Sequence, residues 1–571
     1  MEVKSDLETK SAMLAPGETK LITWDLTVPE DTTKRKFTLE VSTPNGNVMD
    51  SLTVEQTVIP AFSERVYQAG LFLYEAPFKE SVVTPPGSIP NSGKMVWKAS
   101  PTILTSLGGI QKYFQTYPYA CMEQRVSKAI GLRSDGLWND VFSDLNSFLD
   151  YDGLVKYFAR MEHGSEILTA YVLTSAKLSN KSIPEDTLVK MTNGLQGFLD
   201  GRVYGERYRF GADLVVRKII VWEALTRYQT YDWEQVRPIF DGLEFLPTAS
   251  LIDLSEIYNR VNGADPNVKN RLFSVLRSKL NLQGSELIIA DSGFTNPWWI
   301  LGSRDYTMAK FLLWSITEPS YKKDLPRIIK AFVKMQKQGR YDSTLGNAYS
   351  VLVFDRVSKL LEGEKVTGGK VKIQTEKESF SLEPNGKQTL SQPIGSTPES
   401  LTVSYEGKGK PWLEWSVQSI LPLKEPIASG YRIKRTWEPL QVAKPGVLSK
   451  GDTIKVKLEI DADSDKTWVV VEDPMPPGSL PLGRGFGRES QIGQDGPKDT
   501  SYYLSFEEKT LSLYRAYFEY LPKGKHVVEH SYRLNHVGNF VMPSTRVEAM
   551  YSPETHAEWP NEIVRISENK E

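Results

Sequence analysis

Between residues 93 and 365 apolar side chains recur at the spacing of α-helices, and strand-like alternation flanks this stretch on both sides. A β–α–β order on that scale excludes one continuous core. Cores stop growing at roughly 250–300 residues, so the 571 residues of this chain imply several domains. The first β stretch, residues 1–92, holds "TKLITWDLTV", "KFTLEVST" and "MDSLTVEQTVIP". "PEDTTK" separates the first two, and the turn signal "PNGN" separates the last two. The helical stretch includes "GSEILTAYVLTSAKLSN", "GADLVVRKIIVWEALTRYQ" and "LPRIIKAFVKMQKQG". Runs such as "VVRKIIVWEAL" are apolar on more than one side, which predicts helices packed in two layers.

Alternation returns at residue 366 with "KVKIQTEKESFSLEP", "KQTLSQPI" and "SLTVSYEG". From residue 426 to 571 a further series of strands has the spacing of a sandwich. The helices therefore read as an insert in a β domain. An insert enters at a surface loop, and the two halves of its host are expected to pair around it.

Cys121 is the only cysteine, and it stands in "TYPYACMEQRVSKAIGL" (116–132). One cysteine excludes an internal disulfide and zinc sites of the Cys₄ or Cys₂His₂ kind. Gln124 follows three positions later, at the predicted start of a helix. Side chains at i and i+3 share a face, so the sulfur can meet the carboxamide. A thiolate attacking that carbon would expel ammonia and leave an internal thioester. A helix N-terminus is expected to favour the thiolate. A stored thioester must be kept dry, and Tyr113, Phe114, Tyr117 and Tyr119 form a candidate lid. Two other readings stand beside this one. A free helical cysteine is most often a small buried hydrophobe. A catalytic thiol needs a histidine base; only His163 lies in the helical stretch, while His526, His530, His536 and His556 read as sandwich-surface residues.

Other features point to ordinary structure. "LGRGFGRES" has glycines at 483, 485 and 487 but lies between strands and lacks the phosphate-loop Gly-Lys-Ser/Thr. Trp298 and Trp299 read as core packing, and "DADSD" (461–465) as a turn without calcium-loop spacing. A net charge of −2 with short, scattered basic clusters gives no nucleic-acid or membrane-surface footprint. The opening "MEVKSDLETKSAMLAPGETK" has no signal-peptide core and reads as mid-domain. It is the start expected of a piece of a longer chain with an added Met1.

"YPYACMEQ" resembles the thioester signature of the alpha-2-macroglobulin family. So do "GRYDSTLGNAYSVLVF" (339–354), "EDPMPPGSLPLGRGFGRES" (472–490) and "YRLNHVGNFVMPSTRVEAMYSPE" (532–554) resemble segments of its bacterial members. The resemblance covers nearly all of the chain. It implies a multidomain α and β fold: a macroglobulin-like β-sandwich at 1–60, a CUB-type β domain split between 61–92 and 366–425, an α/α toroid thioester domain at 93–365, and a C-terminal macroglobulin-like sandwich at 426–571. It further implies that Cys121 and Gln124 form the thioester. Tyr117 and Met550 would shield it, with Tyr119 and Met542 as weaker candidates.

The implied activity is single-turnover covalent trapping of attacking proteases, not enzyme catalysis. Gln124 would acylate a lysine amine, and Cys121 would be freed. Complement-type relatives use a histidine far downstream of the cysteine to direct attack toward hydroxyls; residues 164–525 contain none, so amines are the expected targets. No cofactor, metal or nucleic-acid partner is expected. Proteases and envelope proteins are the expected partners of a monomer. The full-length protein is expected in the periplasm as an inner-membrane lipoprotein, anchored outside this chain. The alternative function is an envelope binding module with a vestigial thioester.

Overall fold

The computed structural model describes residues 9–22, 24, 34–57, 62, 64–89, 92–103, 107–203, 213–290, 300–360, 366–376, 378–395, 397–483 and 504–568. Gly485, Gly487, Trp298 and Trp299 lie outside these residues. The chain forms two compact units, residues 1–63 and 64–571. In the first, strands Lys34–Ser42 and Val48–Thr57 pair antiparallel. The "PNGN" turn joins them, with Gly46 at φ 82° donating its N–H to the Thr43 carbonyl. Only this two-stranded sheet is present among the described residues of the unit. Of the strand expected over residues 19–28, the described residues are not in a strand.

The second unit contains a split β domain. One sheet orders its strands Thr389–Pro393, Lys94–Ser100, Trp412–Ser419 and Arg65–Leu73; the other orders Phe78–Val82, Glu399–Lys408, Thr367–Gln374 and Ser379–Leu382. Strands from before and after the helical insert thus pair within both sheets, as expected of an interrupted host. Met95, Trp97 and Trp415 from one sheet meet Val371, Ile373 and Leu401 from the other, and the two indoles stack at 5.7 Å. The expected boundary at 92/93 is therefore too early. Lys94–Ser100 alternates inward Met95, Trp97 and Ala99 with half-buried residues and belongs to the sandwich.

Twelve α-helices between Gly108 and Leu360 make up the insert among the described residues. Met122–Gly131, Glu166–Leu178, Leu214–Leu225, Thr248–Tyr258, Arg304–Ser315 and Thr344–Leu360 contact one another in that order, and the last contacts the first. The remaining helices flank this cycle. Central helices are buried on all sides, so their polar groups pair internally: Arg217 with Glu166, Arg227 and Arg260 with Glu223, Lys310 with Asp253. One small hairpin, Leu280–Gln283 with Glu286–Ile289, interrupts the helical series.

The C-terminal domain stacks a six-stranded on a four-stranded antiparallel sheet. Val456, Leu458 and Tyr532 of the smaller sheet meet Val469, Val471, Phe518 and Val547 of the larger. Two of the histidines expected at its surface are inside. His526 Nε2 donates to the Pro522 carbonyl at 2.7 Å, and His530 pairs with the fully buried Asp473 at 2.9 Å. Asp473 also accepts from Arg435 Nε at 2.7 Å and from the Thr545 hydroxyl. Burial alone would raise this carboxyl; Arg435 and His530 outweigh it and bring the pKa down to about 2. A depressed carboxylate contributes stability above its unfolded value, and that stability is lost as pH falls toward 2. Asp473→Ala leaves Arg435 buried without its partner. We expect it to lower unfolding free energy by about 3–5 kcal/mol, read by denaturant melts.

Candidate functional site

Helix α1 (Gly108–Thr116) is seated on the split β domain. Glu414 of strand Trp412–Ser419 accepts hydrogen bonds from Gly108 and Gly109 N–H at 3.2 and 2.8 Å, placing a carboxylate at the positive end of the helix. A Cβ at Gly109 would meet the Gly339 carbonyl at 2.2 Å, so only glycine permits this approach. The helix ends at Tyr117 (φ −66°, ψ 119°), because the following Pro118 excludes helical backbone there. Helix α2 (Met122–Gly131) starts four residues on, with Cys121 extended at its N-cap.

Cys121 and Gln124 form a reciprocal capping box. The Gln124 backbone N–H points to the Cys121 sulfur, and the Gln124 Oε1 accepts from the Cys121 backbone N–H at 3.0 Å. The helix start therefore gathers the sulfur and the carboxamide into one turn and polarises the carbonyl that a sulfur would attack. Gln124 Nε2 donates to the Tyr117 hydroxyl at 3.4 Å. Cys121 is fully buried and Gln124 is 2% exposed. Burial first, then the Glu123 carboxyl, push the Cys121 thiol well above its ordinary range. Backbone N–H groups of Glu123 and Gln124 act in favour of the thiolate, but desolvation is larger.

Glu123 is fully buried and accepts from Ser127 Oγ, from Thr344 Oγ1 at 3.0 Å and from the Tyr551 hydroxyl at 3.1 Å. Burial outweighs these bonds and raises its pKa to about 7. A raised folded pKa contributes stability below the unfolded value near 4.5, lost as pH rises through 7. Relative to the parent, Glu123→Gln should gain about 3 kcal/mol between pH 4.5 and 8. Denaturant melts at the two pH values check this.

The C-terminal domain covers the site. Trp468 interrupts strand Lys466–Pro474 at φ 52°, a left-handed conformation rare for a bulky residue. At this residue the indole leaves the sandwich core for the helical domain, where it packs on Tyr157 at 4.1 Å and Phe158 at 5.9 Å. Its carbonyl accepts from Met550 N–H at 2.9 Å, holding the turn that carries Met550 and Tyr551. Phe506 stacks on Phe158 at 4.7 Å, and Tyr517 meets Tyr119 at 6.3 Å. Tyr113, Tyr117 and Tyr119 continue as neighbours at 5.0 and 5.4 Å.

Cys121, Tyr119, Met550, Tyr551 and Trp468 thus belong to one buried cluster, with Tyr117 packed against it. Met542 is also buried but belongs to no part of that cluster. Phe114 belongs to the same cluster and meets Tyr113 edge-on at 5.1 Å. Its ring lies over Gly131 in the α1–α2 crossing, where a Cβ would meet it at 2.0 Å. Reading the sequence did not single out Trp468, Tyr551, Tyr157 or Glu123. Glu123 and Ser127 at i and i+4 were the one local signal of a buried polar face. Among the described residues no group of three or more His, Cys, Asp or Glu side chains is placed to hold a metal.

Residues 430–554 match the family model of the bacterial alpha-2-macroglobulin MG10 domain. That stretch is thus similar to a bacterial alpha-2-macroglobulin domain, and over nearly its whole length the chain shares the fold of solved structures from the C-terminal region of such proteins. In particular it is similar to native Escherichia coli alpha-2-macroglobulin from domain MG7 to the C-terminus, with a TM-score of 0.70 and 17% identity over 94% of this chain and 87% of that one. It is also similar to Salmonella alpha-2-macroglobulin reacted with methylamine, with a TM-score of 0.71 and 16% identity over 94% of this chain and 36% of that one. The native conformation of the E. coli protein matches with a TM-score of 0.70 and 17% identity over 92% of this chain and 34% of that one. At these identities the likeness is one of fold, and the chain spans about a third of the longer relatives. No curated protein matches the chain in sequence.

Proposed function

We propose that Cys121 and Gln124 form an internal thioester, and that the chain is the C-terminal part of a bacterial envelope protein that traps proteases covalently. The observation that carries this reading is the buried capping box, with sulfur and carboxamide in one helical turn beneath aromatic residues of another domain. An inert packing cysteine has no need of a fully desolvated glutamine beside it, since buried polar groups are costly unless bonded. In this reading the cyclic helix contacts are those of an α/α toroid, and the split sandwich is the CUB-type domain. The two-stranded unit is part of a macroglobulin-like domain. Tyr117, Tyr119 and Met550 keep water from the bond, and Met542 has no such role. Movement of the C-terminal domain would uncover the bond without unfolding either domain.

The trapped group is an amine. Its nitrogen attacks the Gln124 carbonyl carbon, the Cδ–Sγ bond breaks, and Cys121 is left as a thiol. The Salmonella relative was studied after reaction with methylamine, the same class of nucleophile. Proteases would be captured through lysine in the periplasm, with the full-length protein held at the inner membrane. To test the reading, the chain is incubated with a fluorescent primary amine and digested. Label on residue 124 with one new free thiol supports it; no label, or label elsewhere, contradicts it.

A further inference from the structure

Tyr551 stands where no shield needs a polar group. Its ring is 3% exposed, and its hydroxyl donates to Glu123 Oε2 at 3.1 Å across 428 residues of sequence. The same hydroxyl belongs to the buried cluster that holds the Cys121 thiol and acts in favour of its ionised form. Glu123 thus bonds a hydroxyl of the cluster around the sulfur and stands two positions after Cys121 in sequence. Its other oxygen is tied to Ser127, which in turn bonds Tyr171, and to Thr344 on the last helix. The titratable groups facing Glu123 are the Cys121 thiol and the hydroxyls of Tyr113, Tyr117, Tyr171 and Tyr551. A carboxyl in such surroundings can take up a proton and give it back near neutrality.

Resting on the thioester reading above, we propose that Tyr551 and Glu123 form a proton relay that closes the thioester, so that the bond forms only after the C-terminal domain has docked. Closure must remove a proton from sulfur and deliver one to nitrogen. The Sγ–H proton passes to the Tyr551 oxygen as the Tyr551 proton passes to Glu123. Sγ attacks Gln124 Cδ, whose oxygen is held by the Cys121 N–H. The Cδ–Nε2 bond breaks, and the nitrogen takes the proton back from Glu123 and leaves as ammonia. One thiol and one amide become one thioester and one ammonia, with no oxidant or co-reactant. The relay gives the buried, protonated thiol a path that a helix N-terminus alone does not. It also places half of the machinery on the domain that later guards the product.

The test follows closure in cell-free translation of the full chain, sampling intact mass for loss of one ammonia. Glu123→Gln keeps the shape of the side chain but not its basicity, and Tyr551→Phe keeps the ring but breaks the relay. We expect Glu123→Gln to slow closure about 10²-fold or more and Tyr551→Phe at least about tenfold, with Glu123→Asp recovering part of the rate. Resistance to limited proteolysis verifies that each variant is folded, and the conservative Tyr551→Phe retains the packing. Closure of either folded variant at the parent rate overturns the relay while leaving the thioester standing. A parent chain that never loses ammonia overturns the thioester reading itself. Methylamine separates the relay from a merely structural role. A weakened shield would make Tyr551→Phe react faster than the parent, whereas a lost relay leaves fewer chains able to react and no faster reaction among them.

Discussion

Cys121→Ser should keep the fold and abolish amine incorporation. Serine is a good N-cap residue, so the bond from the Gln124 backbone N–H is retained, and the change in stability should stay within about 1 kcal/mol. The buried site loses only the larger, more polarizable atom. Without the sulfur nucleophile the Gln124 carboxamide remains an ordinary amide, inert to primary amines in water. Uptake of labelled methylamine should fall to background, and the chain should keep the mass of its unmodified sequence. Residual incorporation at residue 124 would place the activated carbonyl in some other linkage.

Trp468→Ala should have the largest effect on accessibility. The indole fills the contact between the C-terminal domain and the loop carrying Tyr157 and Phe158. Removing a buried tryptophan costs about 3–5 kcal/mol. Part of that loss falls on docking, because the side chain lies in the helical cluster and not in its own sandwich core. If about 3 kcal/mol falls there, the undocked population rises about 10²-fold, and methylamine should open the bond correspondingly faster. Met550→Ala should act in the same direction with a smaller effect. Met542→Ala should not change the rate, since its side chain lies outside the cluster. The kinetics of thiol release after methylamine addition measure all three.

The local parts of the site were legible in the sequence. Cys121 and Gln124 are three apart at a helix start, and Pro118 marks where the preceding helix must end. Tyr117 could be placed because it lies one segment before the cysteine. The transition from alternation to helical spacing was readable too, although "KMVWKAS" alternates and was assigned to the wrong side of it. What could not be read depends on contacts distant in sequence. The outward turn of Trp468 depends on a positive φ inside a run of strand-forming residues, and nothing in "KTWVVV" announces it. Tyr551 looks like any strand-end tyrosine until Glu123 faces it. The helix N-terminus favours the thiolate as a local feature, but the larger opposing effect, desolvation, is a property of the whole assembly and could not be read. His530 was misplaced for a similar reason: its partner Asp473 is 57 residues away in sequence.

Intact mass of the untreated chain is the most direct test of the central claim. The account predicts a chain lighter by one ammonia than its sequence requires, with no titratable thiol. Methylamine should then add its full mass and expose one thiol per chain, at Cys121. A chain already at its full amide mass, with Cys121 free on unfolding, would contradict the account.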